Sequence, residues 1–187
     1  MVVVRRAKAY SKRNPVVNTR RSKIQQLSYV KTVPTQKIVK FNMGDINGFQ
    51  EGKYNIKIEI ICKENIQIRD LSLEAVRQSI HKDFTVLFPN NSYFLRCNTY
   101  PHNILRNNRV YSGGSKGERI QTGMSKSFGT PEGRAAVVKK GKPIFTGYFL
   151  GEDNIPKARA ILKKTTPKLP CATKIVVTIL RKEFDKN

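Results

Sequence analysis

The chain has 187 residues, and its 36 Lys and Arg side chains against 13 Asp and Glu give a formal net charge of +23. Hydrophobic residues make up 39% of the sequence, so a single domain with a modest core is expected. A compact protein with this much like charge repels itself, which favours a polyanionic partner: nucleic acid first, an anionic membrane surface second. No apolar run approaches the roughly 18 residues that a membrane-spanning helix needs.

The positive charge is concentrated in two blocks. Residues 1–44 carry eleven basic side chains and no acid, whereas residues 45–83 carry six basic and seven acidic ones. Residues 84–151 then carry ten basic and two acidic side chains. A solvated basic face is one interpretation, but two long blocks of one sign repel each other without a counter-charge. The distribution therefore favours two cationic regions that flank a scaffold of mixed charge and bind nucleic acid.

The first 35 residues show no sustained hydrophobic period and are rich in Arg, Lys, Asn, Ser and Thr. Such a segment cannot bury enough apolar surface to fold alone. We predict an extended basic arm over residues 1–35 that becomes ordered on its partner. One α+β domain over residues 36–180 and a charged tail over residues 181–187 complete the chain.

Three strands are predicted after the arm. The alternating sequence KIVKFNMG, residues 37–44, is the first and ends at its glycine. In residues 54–62, YNIKIEIIC, isoleucines alternate at positions 56, 58 and 60, which is typical of a half-buried strand. Residues 64–70, ENIQIRD, predict a third short strand.

A helix follows, capped by Asp70 or Ser72. Polar side chains, among them Arg77 and His81, are predicted to cover its outer side, with His81 a surface histidine. The apolar stripe at helical spacing consists of Leu73, Val76, Ile80 and Phe84.

The second half of the chain predicts a strand at residues 92–99, a long loop at residues 100–123 and a hairpin. The hairpin has strands at 134–139 and 143–150 joined by a turn. Loops as long as 100–123 are usually functional or disordered.

The last helix is predicted to begin at Asn154, with Pro156 in its first turn. Its inward-facing residues are predicted to be Ala158, Ile161 and Leu162. TKIVVTIL, residues 173–180, is the closing strand. This order of strands and two helices predicts an α+β fold, a two-layer sandwich.

The sequence offers no recognisable catalytic or cofactor site. His81 and His102 have no acid, Ser or Cys at a catalytic spacing. The run YSGGSKGER lacks the residue order of a phosphate-binding P-loop. Cys62, Cys97 and Cys171 are far apart and form no CxxC pair, which argues against a zinc site or a disulfide framework and fits a reducing, cytoplasmic compartment. The chain is therefore predicted to be neither an enzyme nor a metalloprotein.

The second basic block suits contact with an RNA backbone. Glycines let the backbone approach a partner closely, and the cations between them can meet phosphate oxygens. Tyr100, Tyr111 and Phe128 can stack on unpaired bases, although Phe128 can equally be a plug that pins the loop to the core. The predicted RNA contacts are Arg5, Arg6, Lys8, Lys12, Arg13, Arg20, Arg21, Arg119, Gln121, Lys126, Arg134, Lys139, Lys140 and Lys142.

Three segments, KIVKFNMGD, IQIRDLSLEAVRQSI and RIQTGMSKSFGTPEG, resemble the large-subunit ribosomal protein family known as L sixteen in bacteria and L ten e in archaea and eukaryotes. The archaeal branch is the most similar. The most specific part is the R-x-Q-T-G-M…F-G-x-P-x-G signature between Arg119 and Gly133. The resemblance extends from about Arg5 to Val177, nearly the whole chain.

This resemblance implies an α/β hammerhead fold that binds large-subunit rRNA in the cytoplasm. Implied partners are the other large-subunit proteins, assembly factors, and the tRNAs at the aminoacyl and peptidyl sites. The loop over residues 101–118 would point toward the peptidyl-transferase centre. Its tRNA-proximal residues would be His102, Arg106, Arg109, Tyr111, Ser112, Gly113, Gly114 and Lys116.

The alternative is an RNA-binding or chaperone-like protein that acts off the ribosome. The ribosomal and off-ribosome hypotheses differ in whether the protein remains bound to the large ribosomal subunit. Because the loop is expected to lie outside the core, removal of residues 105–117 is expected to leave the fold intact.

Overall fold

The computed structural model describes residues 7–11, 33–89, 92–107 and 130–180. These residues form eight strands and four α-helices. The strands are β1 (Asn42–Gly44), β2 (Ile56–Cys62), β3 (Ile66–Arg69), β4 (Tyr93–Cys97), β5 (Asn103–Asn107), β6 (Thr130–Val138), β7 (Pro143–Phe149) and β8 (Thr173–Ile179). The helices are α1 (Lys8–Ser11), α2 (Ile46–Gln50), α3 (Asp70–Leu87) and α4 (Ile155–Thr165). Short 3₁₀ turns at Glu152–Asn154 and Thr166–Lys168 flank α4.

The strands form two sheets, and every described pairing between strands is antiparallel. The first sheet has the order β1-β4-β7-β2-β8, and the second has the order β3-β6-β5. The predicted α+β class is confirmed. Both predicted helices are present, as α3 and α4, and the structure has two further short helices, α1 and α2, that were not predicted.

The core lies where α3 packs against both sheets. The predicted stripe of α3 is confirmed, because all four of its members are completely buried. Burial of one such side chain stabilises the fold by roughly 1.5–3 kcal/mol. Gly147 on β7 allows the close approach of α3, since an added Cβ would lie 3.1 Å from the Phe84 ring and 3.2 Å from Ile58.

The alternation predicted for β2 is also confirmed. Ile56, Ile58 and Ile60 are fully buried, and Ile66 and Ile68 join the same core. The predicted strand at 92–99 and the closing strand are present as β4 and β8. The helix α4 begins after Asn154, as predicted, although the Asn154 side chain caps no amide of the helix. Two of its predicted inward residues are buried, whereas Ile161 is half-exposed.

The predicted start of α3 is wrong, and so is the exposure predicted for Arg77 and His81 on its outer face. Asp70 is the first helical residue, and no side chain caps the helix. Arg77 is only 8% exposed, because it forms a buried ion pair with Glu74 through bonds of 2.6 and 2.7 Å. His81 is half-buried, and its Nδ1 lies 2.7 Å from the Tyr93 hydroxyl. Burial lowers the pKa of His81.

A strap formed by residues 33–41 covers this face of α3. The Lys37 amide donates to Asp70 at 3.2 Å, and the Val39 amide donates to Glu74 at 3.3 Å. Because these two backbone amides donate to carboxylates, they form no hydrogen bonds with a neighbouring strand. Only residues 42–44 of the predicted strand therefore form β1. Acidic side chains on a distant helix therefore decide the conformation of the strap.

The helix α2 is absent from the sequence prediction. Its N-cap is Asp45, whose Oδ1 accepts a 2.9 Å bond from the Gly48 amide. This bond lowers the pKa of the Asp45 carboxyl. A helix of five residues is too short to show a 3.6-residue period, so the capping residue was the only local signal.

The predicted hairpin is wrong, although both of its strands exist. The strand β6 pairs with β3 and β5, whereas β7 pairs with β2 and β4 in the other sheet. Residues 139–142 therefore cross from one sheet to the other. Gly141, at φ +83°, donates to the Cys62 carbonyl at 2.8 Å, and the Cys62 amide donates to the Lys142 carbonyl at 3.1 Å. Periodicity shows that a segment is a strand but does not identify its partner.

Candidate nucleic-acid interface

The N-terminal anchor, residues 7–11, packs on the second sheet. Tyr10 is only 4% exposed and lies against Leu105 of β5 and Ala135 of β6. Its hydroxyl donates a 3.0 Å hydrogen bond to Glu132 Oε2. The anchor therefore fixes where the predicted basic arm meets the domain, and at residues 8–11 that arm is helical rather than extended.

A buried polar network joins this anchor to β5. Gln67 Nε2 donates to the Tyr10 carbonyl at 2.9 Å, and Asn103 Nδ2 donates to Gln67 Oε1. The Arg69 guanidinium lies 5.8 Å from the centre of the Tyr10 ring, a favourable cation–π distance. One glutamine thus contacts both the arm and the strand that leads into the predicted loop.

The loop root consists of β5 and β6. Asn107 at the end of β5 pairs directly with Thr130 at the start of β6, so residues 108–129 join two adjacent strand ends. A turn of about two residues would be enough for that connection. The predicted boundary of 100–123 is therefore corrected, because residues 103–107 are a paired strand. The expectation that removal of residues 105–117 leaves the fold intact is corrected as well, because the deletion would remove Leu105, which is buried against the anchor.

An aromatic platform lies at the entrance to β5. Tyr100 is 52% exposed, and its ring lies 5.6 Å from that of Phe41 at an angle of 30°. Arg134 Nη1 lies 3.4 Å from the Tyr100 hydroxyl, and the exposed His102 ring lies 3.0 Å from the Tyr100 carbonyl. A fixed, exposed ring with a guanidinium beside it is suited to stacking on an unpaired base.

Two predicted RNA contacts, Arg106 and Arg134, are only partly available to a partner. Arg134 donates to the Pro34 carbonyl at 2.7 Å, which holds the start of the strap. Arg106 is half-buried on β5, and burial lowers the pKa of its guanidinium, which still remains charged at neutral pH. Arg134 therefore holds the strap in addition to any contact that it makes with a partner.

Four lysines gather where the chain crosses between the sheets. We call Lys63, Lys139, Lys140 and Lys142 the crossover lysines, and all four are exposed. Their backbones are bound together by the two bonds between Cys62 and residues 141–142, and by the Lys140 amide, which donates to Asn65 at 2.8 Å. The structure thus brings three predicted contacts together and adds Lys63, which is distant in sequence and was not predicted.

A second basic surface, on α4 and the 3₁₀ turn after it, was also missed. Within residues 155–168 the chain has five cations and no acid, and all five are exposed: Lys157, Arg159, Lys163, Lys164 and Lys168. The sequence carries this signal, but a charged helix face is ordinary, and these residues were assigned no role from the sequence. Only packing shows which of these cations border a groove.

Many predicted contacts lie outside the described residues. They are Arg5, Arg6, Lys12, Arg13, Arg20, Arg21, Arg109, Tyr111, Ser112, Gly113, Gly114, Lys116, Arg119, Gln121, Lys126 and Phe128. Lys8 lies on α1. The structure therefore brings together the contacts near the loop root and the crossover, and leaves the loop itself and most of the arm as predictions.

The part of the chain that the structure describes contains no group of three or more His, Cys, Asp or Glu residues that could hold a metal ion. None of its helices is long and apolar enough to cross a membrane.

Cys62 and Cys97 are buried and Cys171 is half-exposed, and all three are free thiols. Burial raises the pKa of Cys97, and burial and the adjacent Cys62 raise that of Cys171 to about 12. Such thiols are poor nucleophiles at neutral pH.

Comparison with known proteins agrees with the resemblance. The profile of the family described as ribosomal protein L16p/L10e matches residues 16–176. The large ribosomal subunit protein uL16 of Pyrobaculum aerophilum is 35% identical over 149 residues, which cover 80% of this chain and 82% of the relative. That of Hyperthermus butylicus is 34% identical over 155 residues, 83% of each chain. That of Staphylothermus marinus is 34% identical over 153 residues, 82% of this chain and 84% of the relative.

The matched residues include the strap, the loop root and the crossover lysines, so the family is shown over the surfaces described above. The expected likeness to the archaeal branch is confirmed by these archaeal relatives. A family of structural ribosomal proteins also agrees with the prediction that the chain is not an enzyme. The chain belongs to the ribosomal protein L16p/L10e family.

Proposed function

We propose that this chain is a structural component of the large ribosomal subunit, in the cytoplasm, where it binds rRNA and shapes the path of tRNA near the peptidyl-transferase centre. One observation carries the proposal. The connection over residues 108–129 is far longer than its strand pairing requires, and it begins and ends at the two paired strands of the loop root. Long loops on a rigid support are where proteins place their binding residues.

Binding to rRNA rests on exposed cations in fixed positions. The crossover lysines meet phosphate oxygens, because exposed ammonium groups can contact a backbone without selecting a base sequence. Tyr100 stacks on an unpaired base beside the strap. The N-terminal anchor directs the remaining arm along the RNA surface, and other large-subunit proteins and assembly factors act at the same surfaces.

The tRNA-proximal role falls to the loop. Arg106 and His102 lie at its root, and Arg109, Tyr111 and Lys116 extend it toward the tRNAs. The loop acts by positioning: its cations and small residues restrict where the tRNA acceptor arms can lie. No proton transfer or covalent step is assigned to the protein.

The first test measures the salt dependence of rRNA binding. Purified protein and large-subunit rRNA are titrated in filter-binding assays at several KCl concentrations. Each phosphate contact contributes about 0.7–0.9 to the slope of log affinity against log salt. Replacing Lys139, Lys140 and Lys142 by Gln should therefore reduce that slope by about 2–3.

The matched control replaces three dispersed, exposed lysines, Lys53, Lys82 and Lys174, by Gln. This variant has the same net charge, so a general effect of charge changes both variants equally. A slope reduced to the same extent in both would contradict a specific site at the crossover. A flat salt dependence of the unaltered protein would contradict RNA binding altogether.

The second test shortens the loop without cutting its root. Residues 109–117 are replaced by a Gly-Ser pair, which leaves β5 and β6 intact. We expect an unchanged thermal unfolding midpoint, together with defective tRNA accommodation or subunit maturation in cells that carry the variant. A Gly/Ser replacement of the same length separates the effect of loop chemistry from that of loop length.

Normal tRNA accommodation and normal subunit assembly with the shortened loop would argue against the tRNA-proximal role. Sedimentation separates the off-ribosome alternative, because a structural component stays with the large subunit in moderate salt. A protein that leaves the subunit under those conditions would fit an RNA chaperone instead.

A further inference from the structure

We propose that the groove between α4 and β8 binds one unstacked nucleotide of RNA, with the base on an apolar floor and the phosphate beside Arg159 and Lys163. The proposal rests on the proposed function, since it takes RNA as the partner, but it concerns a surface to which no role was assigned. It adds a base-binding pocket to the Tyr100 ring, which stacks on a base, and to the crossover lysines, which contact the RNA backbone.

The groove exists because α4 covers β8 incompletely. The strand β8 ends the first sheet, and Ile175, although it faces the core side, remains half-exposed. The 3₁₀ turn after α4 and the connection to β8 close the other side. The resulting cavity has a volume of about 640 Å³, and its floor includes Leu169, Cys171 and Ile175. Pockets for small organic ligands usually have about 300–1,000 Å³.

The rim of the groove is cationic. Arg159 and Lys163 line it, and no carboxylate is among its lining residues. Neither cation has a side-chain hydrogen bond or ion pair with any residue in the described ranges. On the same helix, Lys164 pairs with Asp83 at 3.4 Å, and on the following turn Lys168 contacts Ser79. The two cations that face the groove are therefore the ones available to an anionic ligand.

An apolar floor beside two available cations matches a nucleotide. The flat base removes apolar surface from water, and the phosphate meets the cations. Proteins that recognise RNA by sequence or shape usually take such splayed-out bases from loops and bulges. The absence of any acid from residues 155–168 further favours an anion that is repeated along a chain, as phosphates are in RNA. An acidic protein segment offers the charge but not the flat apolar body.

The test compares two RNA probes of equal charge. One is a single-stranded oligomer of eight uridines, and the other is the abasic oligomer with the same phosphates. Binding to the full chain is measured by fluorescence anisotropy at one salt concentration. We expect the uridine oligomer to bind about fivefold more tightly or better, because one base has a site in the groove.

Two variants of α4 with equal charge assign that preference to the groove. In a Tyr100→Ala background, which removes the other exposed ring proposed to stack on a base, Arg159→Gln with Lys163→Gln should abolish the preference for the base-containing oligomer. The control, Lys157→Gln with Lys164→Gln, removes two charges from the same helix outside the groove. It should lower the affinity for both oligomers by the same factor and keep the preference.

Cys171 provides an independent readout inside the groove. It is half-exposed, whereas Cys62 and Cys97 are buried, so slow alkylation by N-ethylmaleimide reports on it first. The uridine oligomer should protect Cys171 in the unaltered protein, and the abasic oligomer should not. Protection should disappear in the Arg159→Gln, Lys163→Gln variant.

Equal affinity for the two oligomers, or a preference that survives in the Arg159→Gln, Lys163→Gln variant when Tyr100 is also replaced by Ala, would overturn the proposal. Protection of Cys171 by polyglutamate but not by the uridine oligomer would overturn it in favour of a protein segment. If the base preference is missing while both oligomers still bind with a steep salt dependence, only the groove proposal fails. If neither oligomer binds, and large-subunit rRNA is not bound either, the proposed function fails with it.

Discussion

Removal of the Tyr10 ring should release the N-terminal arm from the domain. An isolated helix of four residues is unstable in water, so α1 depends on its docking to the second sheet. The Tyr10 and Ser11 amides donate to the Ala7 carbonyl at 3.0 and 3.1 Å. Their exchange with deuterium therefore reports how often the anchor leaves the sheet.

The expected magnitudes follow from the contacts of Tyr10. Tyr10→Phe removes the 3.0 Å bond to Glu132. A hydrogen bond to a charged group contributes about 1.5–3 kcal/mol, so protection of the two amides should fall by about tenfold or more. Tyr10→Ala also removes the buried ring, which costs about 3–5 kcal/mol in a core, and should bring the exchange close to that of an unfolded chain.

Hydrogen–deuterium exchange with mass spectrometry of a peptide covering residues 7–11 measures this directly. Tyr54→Phe is the matched control, because the Tyr54 hydroxyl also donates to a carboxylate, that of Asp45, at 3.2 Å. This hydrogen bond does not involve the arm. It should leave the exchange of the anchor unchanged. Equal protection in the unaltered protein and Tyr10→Ala would refute the docking of the arm through this residue.

Two further predictions concern the stability of the domain, measured by urea unfolding. Glu74→Gln should cost about 3 kcal/mol, because it leaves Arg77 buried without its partner. The Arg77 hydrogen bonds lower the pKa of Glu74 from 4.5, so its contribution is complete above that pH and is lost as the pH falls through the lower folded-state pKa. The unaltered protein should thus lose stability more steeply below pH 4.5 than the variant, and parallel curves would contradict the ion pair. Gly44→Ala should cost more than Gly52→Ala, because both have positive φ but only at Gly44 would a Cβ meet a backbone atom, the Tyr93 oxygen at 2.0 Å. Equal losses would show that φ alone determines the cost.

Local patterns were enough for the parts of the fold that depend on one segment at a time. The alternating isoleucines of β2 and the stripe of α3 define a buried face wherever the partner lies. The positive blocks and the R-x-Q-T-G-M…F-G-x-P-x-G signature indicated an RNA-bound ribosomal protein, and the family is confirmed. The loop root was missed because β5 is short and its partner, β6, is separated from it by residues 108–129.

The sequence by itself determined the class of fold, the family and the charge that requires an anionic partner, because these depend on composition, periodicity and a linear motif. Only the tertiary structure decided that residues 139–142 connect two sheets and place Lys63 beside Lys140. It also decided that Glu74 buries Arg77, and that Arg159 and Lys163 border a groove. These outcomes depend on segments far apart in the chain: even the Glu74–Arg77 pair, whose members are neighbours on α3, is covered by the strap and β1. A side chain's burial and partners are set by the segment that packs over it.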